Sequence, residues 1–72
     1  MTEELAYSEA SLLSRPELVV DVGYKIVSIT AVLSRDRALR FTKIVGKAEF
    51  ADNPLLVLSE VLDAALKIRS RL

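Results

Sequence analysis

The chain has 72 residues, ten basic and ten acidic side chains, and a formal net charge of zero. It contains neither cysteine nor histidine, which excludes disulfides, thiolate metal sites and any nucleophile–base set built on those residues. Its hydrophobic share of 51% is too high for a disordered chain.

This length supports one domain, residues 1–72. A domain this small buries only about 60% of its unfolded surface, and small domains commonly add disulfides, a metal or self-association. With the first two unsupported, self-association is the remaining device. No run of about 20 apolar residues is present, so no spanning helix is expected. The start, Met1-Thr2-Glu3-Glu4, is acidic and lacks the basic-then-apolar layout of a secretory signal. A cytoplasmic protein with no membrane partner is expected.

In chain order, Thr2 can cap a helix, with Glu3 and Glu4 in the first turn where negative charge is favoured. Leu5, Ala6, Ala10, Leu12 and Leu13 give that helix an apolar face, and Arg15 before Pro16 stops it. Leu18-Val19-Val20-Asp21-Val22 is extended in character. It is either the start of the next strand, bent at Gly23, or a separate strand.

The stretch from Tyr24 to Phe50 reads as one long β-hairpin. Val27–Leu33 and Leu39–Val45 are rich in β-branched residues, and the polar Ser34-Arg35-Asp36-Arg37 lies between them. A three-residue loop, Arg35-Asp36-Arg37, places Leu33 opposite Leu39, Ala31 opposite Phe41, Ile29 opposite Lys43 and Val27 opposite Val45. That face is apolar except for Lys43, and a slip of one residue would mix both faces. The other face carries Ser28, Thr30, Arg40 and Thr42 near the turn, then Tyr24, Ile26, Ile44, Ala48 and Phe50 toward the open end. Either the two ends bury opposite faces or a bulge near Lys43 resets the phase. Gly23 and Gly46 are candidate bulge or close-approach positions.

Asp52-Asn53-Pro54 opens the last helix, with Asn53 as N-cap and Pro54 at the first helical position. Asp63 and Lys67 form an i,i+4 pair, and Lys67, Arg69 and Arg71 complement the C-terminal dipole. Leu55, Leu58, Leu62, Ala65 and Leu66 make one apolar stripe, and Val57, Val61, Ala64, Ile68 and Leu72 a second. Together they exceed the ~100° that one packing surface needs. One stripe can cover the hairpin; the other calls for the N-terminal helix or a second subunit.

Charge is uneven. The hairpin carries Lys25, Arg35, Arg37, Arg40, Lys43 and Lys47 against Asp36, and the segments on either side are acidic. Arg35, Arg37, Arg40, Lys43 and Lys47 are therefore candidate phosphate contacts for nucleic acid. Basic residues also protect strand edges from aggregation, and a dedicated nucleic-acid domain usually carries a basic excess overall. No Gly-rich phosphate loop exists, so no cofactor is expected. Glu49 with Asp52 and Glu60 with Asp63 are the close carboxylates, explained by capping and solubility, so no catalytic or metal residues are assigned. Arg69 lies within the apolar arc of the last helix, placed to snorkel or to pair with an acid across an interface.

Helix–strand–strand–helix order resembles the double-stranded-RNA-binding domain, but that family's basic cluster is replaced here by Pro54-Leu55-Leu56-Val57-Leu58. The passage Ala48-Glu49-Phe50-Ala51-Asp52-Asn53-Pro54, followed by a leucine-rich helix, is similar to the small dimerising subunit of the KEOPS tRNA-modification complex. The similarity covers the last third of the chain and implies an accessory subunit of an RNA-modifying assembly. The initial strand of that family is not evident.

The expected fold is α+β: a helix, an antiparallel hairpin with or without a third strand, and a C-terminal helix packed on one face. The expected function is non-enzymatic binding or scaffolding, as a homodimer or as a subunit beside another protein. The interface is expected at Tyr24, Ile26, Ile44, Phe50, Val57, Val61 and Ile68. Nucleic-acid binding through the basic hairpin is the alternative.

Overall fold

A computed structural model describes residues 11–71. Three strands, β1 (Leu12–Val22), β2 (Ile26–Ser34) and β3 (Arg40–Gly46), precede two helices, α1 (Lys47–Asp52) and α2 (Pro54–Ser70). The sheet is antiparallel in the order β1-β2-β3, and α2 packs on one of its faces: an α+β fold.

The predicted hairpin register is the observed one. Ala31 pairs with Phe41, Ile29 with Lys43 and Val27 with Val45, and the Leu33 N–H donates to the Leu39 carbonyl at 2.8 Å. Alternation along these strands sends Val27, Ile29, Ala31, Leu33 and Val45 to one face. There they form a core with Val57, Val61 and Ala65 of α2, and Leu39, Phe41, Phe50, Leu58 and Ile68 pack around it. The β2–β3 pairing continues unbroken to Ile26 opposite Gly46, so no bulge resets the phase near Lys43. Ile26 and Ile44 remain on the far face and are exposed.

Leu18–Val22 belongs to a separate strand, and β1 begins earlier than the sequence suggests. Leu12–Arg15, read as the end of a helix, is strand: Leu12 pairs with Ser34, and the Arg35 N–H donates to the Ser11 carbonyl at 2.9 Å. The rest of the expected N-terminal helix, Thr2 to Ala10, lies outside the described residues. The register shifts between Leu12 and Glu17, and this irregularity accommodates Pro16, which has no N–H for a ladder. Gly23-Tyr24-Lys25 joins β1 to β2, closed by the Gly23 N–H donating to the Ile26 carbonyl at 2.8 Å. A Cβ on Gly23 would stand 3.0 Å from that carbonyl oxygen, so Gly23 is a close approach. Gly46 has open space about it and is the residue before α1.

The second strand of the hairpin is shorter than expected. Ala48 and Phe50, read as strand residues, lie in α1. Lysine, alanine and glutamate favour helix, and the helical turn carries Phe50 to the core instead of the far face. Helix α1 stops at Asn53, the residue before Pro54, whose φ of −151° and ψ of 75° are far from helical. The Asn53 side chain then accepts from the Leu56 N–H at 3.3 Å and starts α2 as predicted.

Candidate interaction surface

Helix α2 covers β2 and β3 more fully than β1. Val57, Val61 and Ala65 are buried on the core face. Leu18, Val20 and Val22 are paired with Ala31, Ile29 and Val27, so they share that face. They are nevertheless 37%, 42% and 57% exposed. Beside them α2 leaves Leu66 exposed and Leu62 half-buried. The result is an open, mainly apolar groove of about 290 Å³ lined by Ser14, Arg15, Pro16, Leu18, Leu62 and Leu66. The Arg69 guanidinium donates to the Ser14 carbonyl at 2.9 Å, holding one end of the groove. That bond satisfies a strand carbonyl, and among the described residues Arg69 has no acidic partner.

The expected interface residues divide. Val57 and Val61 are buried against the chain's own sheet, and Phe50 and Ile68 pack on the same core. Tyr24, Ile26 and Ile44 are exposed, Tyr24 in the β1–β2 turn and the two isoleucines on the far face. The residues that border the groove were not singled out for an interface by sequence reasoning, although the alternation Leu18, Val20, Val22 and the i,i+4 pair Leu62, Leu66 were legible as patterns.

The basic residues do not gather on one surface. Lys43, opposite Ile29, is on the helix face, where its Nζ lies 3.4 Å from Glu60. Arg40, opposite Val32, is on the far face and donates to the Arg37 carbonyl at 2.8 Å. Arg37 sits 3.1 Å from Glu17 of β1. Arg35 is in the same turn, and Lys47 opens α1. Of the carboxylates, Glu60 answers Lys43, and Asp63 forms the predicted pair with Lys67 at 3.5 Å. Among the described residues no cluster of acidic side chains could hold a metal ion.

The β2–β3 turn is itself ordered by side chains. Ser34 donates to Asp36 Oδ1 at 2.6 Å and accepts from the Leu39 N–H at 3.0 Å; Asp36 Oδ1 also accepts from the Ala38 N–H at 3.0 Å. The hydrogen bond from Ser34, then that from Ala38, holds the Asp36 carboxyl below its ordinary value.

No protein-family model, curated protein or solved structure matches the chain. The similarity to the KEOPS subunit rests on Ala48–Pro54 and the helix that follows, and Ala48–Asp52 is helix here. None of the described helices is long and apolar enough to cross a membrane.

Proposed function

We propose that this protein is a non-enzymatic binding or scaffold module that works as a homodimer. The observation that carries the reading is the apolar groove lined by Leu18, Leu62 and Leu66, with Val20 and Val22 exposed farther along the same face of β1. Apolar surface of this kind on a small protein marks an interaction site, and covering it would supplement a core that is small for lack of chain. Polar groups do not converge in the groove, which suits a protein contact better than a reaction centre. Light scattering on a sizing column, across a dilution series, tests the reading. A dimer is expected, and a monomer at every concentration would remove the homodimer.

A further inference from the structure

Both outer strands carry edge-protecting residues, but on β1 they gather in the first half, at Arg15, Pro16 and Glu17, and leave Leu18–Val22 open. The β3 edge carries Arg40 and Lys43, with Lys47 just beyond, and basic side chains on an edge oppose strand addition. The Leu18–Val22 stretch of β1 has one charge, Asp21, opposite Ser28 on the far face. The direction of its backbone groups follows from the turn. Gly23 bonds to Ile26 across the ladder, and antiparallel partners alternate between bonded and non-bonded pairs. Val19 and Asp21, opposite Thr30 and Ser28, therefore direct their N–H and C=O groups to β2. Leu18, Val20 and Val22 direct theirs away from the sheet.

We infer that β1 pairs antiparallel with β1 of a second copy, on a two-fold axis through Val20, giving one sheet of six strands, three from each copy. The inference rests on the homodimer reading and adds the surface, the partner and the register. Backbone groups and charge together select the register. The outward residues allow an axis through Leu18, Val20 or Val22. An axis through Leu18 sets Val20 opposite Pro16, which has no N–H, and an axis through Val22 carries the pairing into the β1–β2 turn. An axis through Val19 sets Asp21 opposite Glu17 of the other copy, and an axis through Asp21 sets the two Asp21 carboxylates face to face. Like charges directly opposite are destabilising. With the axis through Val20, Asp21 faces Val19 and Glu17 faces Gly23. The outward groups then match, Leu18 bonding with Val22 and Val20 with Val20. The contact is isologous, as a two-fold requires. On the helix face, Val22 of one copy lies beside Leu18 of the other, at the groove bordered by Leu62 and Leu66. The most exposed of the three β1 side chains on that face thus meets the apolar recess lined by Leu18, Leu62 and Leu66.

Two measurements on the full chain test this. The first is amide exchange of the unaltered protein, followed by NMR at high concentration and on dilution. The Leu18, Val20 and Val22 amides should exchange slowly when concentrated and lose that protection when dilute. The second uses the absence of cysteine: Val20→Cys should form a disulfide-linked dimer under mild oxidation, and Ile44→Cys, on the far face, should not. A dimer in which Ile44→Cys is linked, Val20→Cys is not, and the three amides stay unprotected overturns the strand pairing and leaves the homodimer standing. A monomer at all concentrations overturns both. Protected amides in that monomer would mean that another part of the same chain covers the edge.

Discussion

The β2–β3 turn is where single residues carry the most structure. Arg37 has a φ of 62°, the one non-glycine residue in the left-handed region among those described. Its N–H bonds the Ser34 carbonyl at 3.0 Å, consistent with the three-residue hairpin loop that ends on a left-handed residue. Glycine suits that position, and arginine occupies it while reaching Glu17 at 3.1 Å. Both Arg37→Gly and Arg37→Val lose the ion pair, so comparing them isolates the backbone. Arg37→Val should be the less stable by about 1–2 kcal/mol in chemical denaturation, the cost of left-handed geometry for a residue with a Cβ. Equal stabilities would mean that the turn relaxes out of that geometry. Asp36 adds a pH dependence. Its folded-state value lies below the ordinary 3.8 because Ser34 and Ala38 donate to the charged form. A depressed value contributes stability above the unfolded value and loses it as pH falls through the folded one. Thermal stability should therefore decline below about pH 4, and Asp36→Asn should flatten that limb. In Ser34→Ala, an NMR titration should find the Asp36 carboxyl shifted back up.

At the scale of elements, what could be read from sequence was what local chemistry determines. The hairpin register was legible because a charged loop fixes its centre and period-two alternation rejects a slip; Ala31–Phe41 and Val27–Val45 pair as that requires. The start of α2 was legible because Asn53-Pro54 both ends one helix and caps the next. Asn53→Ala should cost about 1 kcal/mol in thermal or chemical unfolding, and a loss near zero would show that Pro54 alone sets the start. The first half of β1 was not legible, because Pro16 reads as a helix stop while the structure uses it at a register shift. Helix α1 was hidden for a related reason: Ala48 and Phe50 are two apart, which suits a strand, and six residues are too few to establish a helical period. The groove was out of reach because both stripes of α2 look equally able to cover a sheet. The packed face in fact takes Val57, Val61 and Ile68 from one stripe and Leu58 and Ala65 from the other, a choice set by how the helix crosses the strands, a tertiary fact.

For the whole molecule, folding and assembly are expected to be coupled. The core uses Val27, Ile29, Ala31, Leu33 and Val45 with three α2 side chains, a small set, as expected of a short domain that buries a modest share of its surface. The Leu18, Val20, Val22, Leu62 and Leu66 surface is apolar area that the single chain leaves in water. Burying it between two copies removes it only in the folded, associated state. Anything that binds the native state and not the unfolded one raises apparent stability by mass action. The unfolding midpoint should accordingly rise with protein concentration. Scanning calorimetry or circular dichroism over a hundredfold concentration range reads this directly. Val20→Lys separates the two contributions, since its side chain stands on exposed β1 surface and its amide takes no part in the β1–β2 ladder. That variant should keep the fold, judged by its far-ultraviolet spectrum, and lose the concentration dependence. Ile29→Ala, by contrast, empties the centre of the core and should cost about 2–5 kcal/mol at any concentration. If Val20→Lys retains a concentration-dependent midpoint, the copies meet elsewhere, with Ile26 and Ile44 on the far face the next surface to mutate.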